Sequence, residues 1–300
     1  MSEDYNFKSF KPMLIDNEKA DYESLSYTNK CCSVKRDGLR IETTNKGLYG
    51  RSLKKIRNKE LQAKYAEMCS RLPDNIIIEA ELWSPKLPCR IISGIANSKD
   101  KEVPDHLDLY VFDIYTYDND YDFLKRYNLL TEYCNKEPLL KRIDIIPLAN
   151  HAHLMNIYNN EIKKGSEGLV VRSYDKGYKC TRLSNKMDYC YKMKPHAEID
   201  CEIVCVNERM ENTNESEKNE LGRSFKRNTV DNKKPTGIAA TVTVKLPNGL
   251  ECKASLKGKE EDRRELWTNR EEYVGRIAVI ESMAYGTKDR LRHPKVLRIK

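Results

Sequence analysis

The run from Ile76 to Trp83, IIIEAELW, has the length and composition of a buried β-strand and yet contains two glutamates. Glu79 and Glu81 are separated by a single residue, so both side chains point to the same face of the strand. An unpaired charge in a buried strand is costly. A chain containing this strand must therefore fold so that cationic or polar partners meet these two carboxylates.

Other apolar runs of strand length carry charged groups as well. They are LDLYVFDIY, SEGLVVR and DYCYKMKP, and their charged residues include Asp113, Glu167, Arg172, Lys192 and Lys194. The charged residues in any one of these runs could equally form a salt bridge at a strand end or belong to a functional site. Charged residues in all of these runs together, around a candidate nucleophile, indicate a functional site.

As far as residue 194, the sequence predicts a mixture of helices and strands. Helices are predicted within residues 55–72, 120–142 and 151–165, the last ending at Gly165 as a helix C-cap does. Strand-length runs rich in Ile, Val and Tyr lie between them, and they include IDIIPLA at residues 143–149. This part therefore reads as an α+β or α/β domain with a largely buried sheet.

From residue 198 onward the sequence reads as short strands and turns, with one helix in EEDRRELWTNREEYVG. Leu246-Pro247-Asn248-Gly249 predicts a hairpin with an Asn-Gly turn. Five strands and a helix would form a small OB-type barrel. Residues 211–236 are too polar to form a core, so we expect a long surface loop or insertion there. The boundary falls near Lys194-Pro195, giving domains 1–195 and 196–300.

Composition excludes several classes of protein. No apolar run is long enough to span a membrane, and the acidic, polar start is unlike a secretory signal, which predicts an intracellular protein. None of the ten cysteines falls in a CxxC pair, so we expect reduced, mostly buried thiols and no zinc. The net charge of +8 is compatible with a polyanionic partner but does not identify one.

The stretch CCSVKRDGLR, residues 31–40, ends a short apolar run with Lys35 and continues into Asp37-Gly38, which predicts a tight turn. A solvated hairpin tip is the structural alternative. A lysine attacks only when its amine is neutral, and nearby cations favour the neutral form. Arginines and lysines could also hold phosphate oxygens, carboxylates could hold a metal or a ribose hydroxyl, and Phe112 offers a flat face to a base. Together these residues predict attack by a lysine on a nucleotide phosphate, with pyrophosphate leaving.

These motifs, in this order, resemble those of the covalent nucleotidyltransferases and, within them, the ATP-dependent DNA ligases. KRDGLR is similar to the first motif, Lys-x-Asp-Gly-x-Arg, and EAELW to the third, with Glu79-Ala80 in place of Asp-Gly. VFDIY, SEGLVVR and YKMK resemble the aromatic, fourth and fifth motifs, and KPML resembles the lead-in. KDRLRHP resembles the last motif in a degenerate form, with Arg292 as the match.

The resemblance implies an α+β fold: a nucleotidyltransferase (ATP-grasp-like DNA ligase) domain followed by an all-β OB-fold domain. Within this family, the sequence resembles the minimal two-domain type found in Chlorella virus, in which the insertion is a latch that clasps DNA. Segments specific to NAD-dependent ligases are not found in the sequence, so ATP is the implied cofactor. The implied partner is nicked duplex DNA, bound by a monomer in the cytoplasm of a virus- or phage-infected cell or of a bacterium.

The resemblance also implies roles for individual residues. Lys35 would attack the α-phosphate of ATP and keep AMP, and Asp37 would assist the sealing step. The residues implied in nucleotide binding are Arg40 and Glu81 for ribose and phosphate, Phe112 for adenine, Lys192 and Lys194 for the α-phosphate, and Arg292. Glu167 would bind Mg²⁺ or Mn²⁺. Arg51 and Arg182 would grip the nick phosphate, with loop arginines of no special role as the alternative.

Three other functions remain open at this point. RNA ligation or RNA 5′ repair shares the first five motifs, although an OB-like domain and a latch-like insertion favour DNA. An mRNA guanylyltransferase would use the same lysine with GTP, but its Arg-x-Asp-Lys motif is not found in the sequence. The third alternative is a non-enzymatic protein that binds nucleic acid through an OB fold and has an inert partner domain. In such a protein the charged strand ends would have no function.

Overall fold

The computed structural model describes residues 4–16, 20–195, 197–218, 224–227, 229, 232–285 and 290–300. The chain divides into two compact units, Met1–Met193 and Lys194–Lys300. No helix in these ranges is long and apolar enough to cross a bilayer.

The first unit contains two sheets and the helices that cover them. Its strands are β1 (Lys30–Lys35), β2 (Leu39–Thr44), β3 (Gly47–Gly50), β4 (Ile76–Trp83), β5 (Asp108–Thr116), β6 (Leu140–Arg142), β7 (Ile146–Pro147), β8 (Gly168–Ser173) and β9 (Cys190–Met193). Its helices are α1 (Lys59–Ser70), α2 (Cys89–Asn97), α3 (Phe123–Lys136) and α4 (His151–Lys163). One sheet has the strand order β7-β1-β8-β9 and the other β3-β2-β4-β5-β6. The mixed α/β composition agrees with the sequence prediction.

The short connection between β1 and β2 is not a hairpin, because the two strands belong to different sheets. The Asp37-Gly38 turn signal is local, whereas β1 takes its partners, β7 and β8, from distant parts of the chain. The chain therefore passes from one sheet to the other at residues 36–38. Gly38 is required there, since a Cβ atom at this position would collide with the carbonyl oxygen of Leu82.

The helices of the first unit begin at polar caps. The side chains of Asn58, Asp122 and Asn150 each accept a hydrogen bond from a backbone N–H in the first turn of α1, α3 and α4, respectively. Leu61, in α1, is buried in the core cluster of the five-stranded sheet, and Leu154, in α4, in that of the four-stranded sheet. The core thus lies between each sheet and its helices, which leaves other sheet surface for the site.

Several predicted element boundaries were wrong. The helix predicted within 120–142 ends at Lys136, because the residue before Pro138 disfavours the helical conformation, and β6 follows, parallel to β5. The IDIIPLA run contributes only β7, and α2 was not predicted. Gly94 weakens the helical pattern in the sequence of α2. Burial of Ile92, Ile95 and Ala96 holds this helix in place.

The second unit is built around a closed barrel with the strand order β10-β13-β14-β16-β15. These strands are β10 (Ala197–Asn212), β13 (Lys233–Lys245), β14 (Glu251–Ser255), β15 (Ile277–Tyr285) and β16 (Leu291–Ile299). Two helices, α5 (Glu260–Thr268) and the short α6 (Arg270–Tyr273), lie between β14 and β15. The predicted hairpin is confirmed: β13 pairs antiparallel with β14, and Gly249 in the turn has φ +80°.

The described part of residues 211–236 is more regular than a plain loop. It contains a small antiparallel ribbon of β11 (Ser216–Lys218) and β12 (Ser224–Lys226), and the ends of β10 and β13 pair through Asn212 and Lys233. Phe225 on this ribbon is exposed, in agreement with a segment that adds nothing to the core. Ribbon pairing satisfies backbone groups without burying apolar side chains, so composition alone did not reveal it.

Candidate active site

A cavity of about 820 Å³ in the first unit is lined by residues of both sheets. Nine of the residues singled out from the sequence line it: Lys35, Arg40, Arg51, Glu79, Glu81, Phe112, Arg172, Arg182 and Lys192. The lead-in segment KPML also reaches it through Met13 and Leu14. Lysines and arginines predominate among the charged residues of the lining, so the cavity suits an anionic ligand.

Lys35 is the last residue of β1, and its Nζ lies 2.6 Å from Oε2 of Glu167. Strand pairing produces this contact, because Lys35 lies opposite Gly168 at the start of β8 and Glu167 immediately precedes it. The Lys35 side chain is 24% exposed and that of Glu167 only 7%. The lysine thus sits in the cavity wall with a buried carboxylate behind it.

Glu81 is the second carboxylate near Lys35. Its Oε1 accepts a hydrogen bond of 3.0 Å from the backbone N–H of Gly38, in the connection that follows Lys35. Burial raises the pKa of Glu81 to about 7, while the charges of Lys35 and Arg40 partly oppose this rise and that of Glu167 adds to it. Glu81 is therefore a carboxylate whose charge changes near neutral pH.

Arg40, on β2, is held by three acceptors. Its Nε donates to Glu42 at 2.9 Å, one terminal nitrogen donates to the carbonyl oxygen of Met13 at 2.8 Å, and the other donates to Glu79. The guanidinium carbon lies 5.4 Å from the centre of the Phe112 ring. Arg40 and Phe112 thus form one fixed wall of the cavity.

Glu42 and Glu79 lie opposite each other on β2 and β4, and both are buried. Tyr178 donates from its hydroxyl to Glu79 at 2.5 Å. Burial, together with the nearby charge of Glu79, raises the pKa of Glu42 well above its usual range. Sequence reasoning missed Glu42 and Tyr178; the spacing Arg40-x-Glu42, which puts both side chains on one face of a strand, was an available signal.

Asp113 and Arg172 form part of a separate buried network. Asp113 accepts from Arg126 at 2.8 Å and from Arg172 at 2.7 Å. Burial alone would raise the pKa of Asp113, but the two guanidinium groups outweigh it and hold the pKa below its usual range. Asp113 therefore fixes the position of Arg172, which lines the cavity.

The remaining predicted residues are placed as follows. Arg51 follows β3 and is exposed, and Arg182, also exposed, donates to the carbonyl oxygen of Ile15 at 3.1 Å. Asp37 lies in the connection between β1 and β2, outside the cavity lining. Lys194 and Arg292 belong to the second unit, Arg292 near the start of β16. Lys192 lies on β9, which ends at Met193, so Lys194 directly follows the strand.

All ten cysteines are free thiols, and six of them are buried. Burial raises the pKa of the Cys31 thiol to about 11 and that of Cys32 to about 12. These thiols are therefore protonated and inert in the folded protein. The burial of six of the ten cysteines agrees with the prediction that they are mostly buried.

Comparison with known families and structures agrees with the motifs. The family described as "ATP dependent DNA ligase domain" matches residues 12–194. No curated protein matches the sequence. The chain belongs to the family of ATP-dependent DNA ligases, and it is an ATP-binding nucleotidyltransferase by class.

Several solved structures share the fold. A Lig E DNA ligase, described as binding DNA with a minimal scaffold, is 17% identical with a TM-score of 0.72, and the match covers 98% of this chain and 99% of that one. Chlorella virus DNA ligase-adenylate is 20% identical with a TM-score of 0.55, over 98% and 99% of the two chains. The ATP-dependent DNA ligase of bacteriophage T7 is 18% identical with a TM-score of 0.52, over 97% and 98%.

Proposed function

We propose that this protein seals nicks between a 3′-hydroxyl and a 5′-phosphate in duplex DNA, through a covalent lysyl-AMP and a DNA-adenylate, in DNA repair or replication. The observation that carries the proposal is the position of Lys35. Its amine lies in a cation-lined cavity, against the buried Glu167 and with Glu81 nearby. A reactive amine with phosphate-binding groups around it suits phosphoryl transfer.

In the first step, Nζ of Lys35 loses a proton and attacks the α-phosphorus of ATP. The N–P bond forms as the P–O bond to pyrophosphate breaks, and AMP stays on the lysine as a phosphoramidate. Arg40 and Glu81 hold the ribose and phosphate, and Phe112 stacks on adenine. Lys192 and Lys194 hold the α-phosphate. Arg40 is ready for this role because its three acceptors fix the guanidinium before the nucleotide arrives.

In the second step, an oxygen of the nick 5′-phosphate attacks the AMP phosphorus and the Lys35 amine leaves. In the third, the 3′-hydroxyl attacks the 5′-phosphorus, AMP leaves, and the strand is continuous. Arg51 and Arg182 grip the nick phosphate, and Asp37 assists this last step. The two arginines line the same cavity as Lys35, which supports their roles.

A divalent metal, Mg²⁺ or Mn²⁺, is part of the proposal, with Glu167 as its protein ligand. The residues present fit such an ion, because Mg²⁺ in nucleotide sites is held by one or two carboxylates together with phosphate oxygens. Glu167 and Glu81 are close enough for the charge of one to raise the pKa of the other. A bound metal would neutralise charge on the phosphate oxygens.

The second unit is proposed to be an OB-fold domain. Its closed five-stranded barrel supports this. Arg292 would orient the pyrophosphate during the first step, and the insertion at 211–236 would clasp DNA through its basic residues. The proposed domains are residues 1–195 and 196–300.

The experiment is a two-stage assay on the purified protein. Incubation with ATP or GTP labelled at the α-phosphate, followed by denaturing electrophoresis, should give a labelled band with ATP only. Nicked duplexes with DNA or RNA strands then identify the substrate, and sealing should require DNA at the nick. A GTP adduct would point to an RNA-capping nucleotidyltransferase, sealing confined to RNA would point to an RNA ligase, and no adduct would contradict the proposal.

A further inference from the structure

Arg36, the residue after Lys35, has an unusual setting that the proposed reaction does not use. Its guanidinium carbon lies 4.2 Å from the centre of the Trp83 ring and 4.1 Å from that of Tyr110. The two rings pack edge to face, with centroids 5.2 Å apart and an interplanar angle of 84°. Each ring attracts the cation, so the pair holds the guanidinium in place without using its N–H donors.

Those donors lack the usual partners. Among the described residues, Nε of Arg36 is buried and has no hydrogen-bond partner, and no carboxylate lies within salt-bridge distance of the guanidinium. Glu161 is near enough to interact with the charge, but it accepts hydrogen bonds from Lys164 and Ser166. A half-buried arginine normally has a carboxylate, phosphate or carbonyl partner. A fixed cation without one is prepared for an anionic ligand.

The position of this cation narrows the ligand class. Arg36 lines the same cavity as Lys35. Along β4, the residues Glu79, Glu81 and Trp83 alternate on one face, with Glu79 beside Arg40 and Trp83 at the end of the strand. Arg36 therefore lies at the Trp83 end of β4, on the other side of Glu81 from Arg40 and Phe112. Arg40 and Phe112 form the wall of the cavity that we propose binds the nucleoside of ATP. If the reacting phosphate of a DNA strand lies beside Lys35, a neighbouring phosphodiester of the same strand would lie near Arg36.

We propose that Arg36, held between Trp83 and Tyr110, binds a phosphodiester of the nicked strand next to the one being joined. The inference rests on the proposed function, since it takes the substrate to be nicked DNA. Arg36 would position the strand and would not touch the reacting atoms. Its planar fork can donate two parallel hydrogen bonds to one phosphate.

The test compares Arg36→Met with Arg142→Met. Methionine keeps much of the packing length and removes the charge. Arg142 is a matched control, because its guanidinium also lies on an aromatic ring, 5.1 Å from the centre of Tyr127, but does not line the cavity. Arg36→Met should weaken binding to a nicked duplex about tenfold. The plot of the logarithm of the binding constant against the logarithm of salt concentration should become less steep by about one, as expected for the loss of one phosphate contact. Arg142→Met should leave both unchanged.

Two further measurements separate this inference from its alternatives. The ATP concentration that half-saturates Lys35 adenylation should not change in Arg36→Met; a rise, with nick affinity unchanged, would assign the phosphate to ATP and overturn the proposal. Unchanged nick affinity and salt slope would also overturn it. If Arg36→Met lowers the unfolding temperature, Arg36→Lys is the variant to use, because it keeps the charge. Arg36→Lys should retain the salt dependence of nick binding seen in the wild type. Absence of any adduct on the wild type would instead contradict the proposed function itself.

Discussion

Lys35 and Glu167 are 132 positions apart in the sequence and form an ion pair of 2.6 Å at the ends of two neighbouring strands. The antiparallel register of β1 and β8 brings them together, with Lys35 opposite Gly168. Two short motifs that are weak signals separately thus meet as one site. The Glu167 carboxylate offsets the positive charge of Lys35 inside the cavity wall.

The buried pair Glu42 and Glu79 should tolerate removal of the charge of Glu42. Arg40 is a single cation between them, and burial together with the nearby charge of Glu79 raises the pKa of Glu42, which favours its protonated form. Glu42→Gln should therefore cost little stability, because an amide can accept from Arg40 and donate to Glu79. Glu42→Ala should lower the free energy of unfolding by about 1–3 kcal/mol, since Nε of Arg40 loses its acceptor. Denaturant unfolding measures both, and equal losses would show that the charge of Glu42 is required.

Glu81 should give the protein a stability that depends on pH. Its pKa rises from 4.5 to about 7 on folding, so between these values the folded protein keeps a proton that the unfolded chain has lost. The free energy of unfolding should therefore fall as pH rises from about 4.5 to about 7, by at most about 1.4 kcal/mol per pH unit, relative to Glu81→Gln.

Denaturant unfolding of both proteins from pH 4.5 to 8 checks this prediction. A suitable control is Glu137→Gln, because hydrogen bonds from Arg71 lower the pKa of Glu137, and its contribution to stability is lost only on acidification below 4.5. Parallel curves for the wild type and Glu81→Gln would mean that Glu81 does not titrate in this range.

Part of this site could be read from the sequence and part could not. Glu81, Phe112 and Lys192 were found because charged or aromatic residues in apolar strand runs stand out, and strand alternation gives their direction. The transfer of the chain between sheets at Gly38, and the aromatic pair that holds Arg36, depend on which distant strands pair. Local patterns do not contain that information.

The same distinction applies to the fold. The Asn248-Gly249 turn was predictable, since its conformation depends on adjacent residues. The helix α2 was not, because its glycine and serine weaken the helical pattern and burial of three apolar side chains holds it in place. The ribbon of β11 and β12 was hidden by a polar composition that normally indicates a loop.

Arg292 should matter for one step only. If it orients pyrophosphate, Arg292→Ala should lose adenylation of Lys35 and still seal a nick that already carries AMP. The two activities are measured separately, with labelled ATP and with a pre-adenylated nicked duplex. Equal loss of both would remove Arg292 from that role.

Residues 212–234 should contribute to DNA binding and not to adenylation. The segment carries six basic residues, Lys218, Arg223, Lys226, Arg227, Lys233 and Lys234, of which Arg223 lies outside the described residues. Its glutamates precede most of these cations, so the part that faces DNA should be about residues 222–234. Replacement of 212–234 by a short Gly-Ser linker should leave the Lys35 adduct nearly intact, weaken nick binding and flatten its salt dependence.

The control for this replacement changes the acidic residues only. Substitution of Glu211, Glu215, Glu217 and Glu220 by glutamine should not weaken nick binding, because it removes no phosphate contact. Unchanged affinity and salt slope in the protein with the linker would show that the segment is not a clamp.

The most direct test of the account is to locate the AMP. After incubation with ATP and a divalent metal, peptide mass spectrometry should find AMP on the peptide that contains Lys35. Lys35→Ala and Lys35→Arg should both abolish the adduct, since arginine keeps the charge but does not lose its proton. Lys30→Ala removes a lysine from the other end of β1, one paired with Asp188 and Ser173, and any folded protein of this variant should still carry AMP on Lys35. AMP on another residue, or an adduct on either Lys35 variant, would contradict the account.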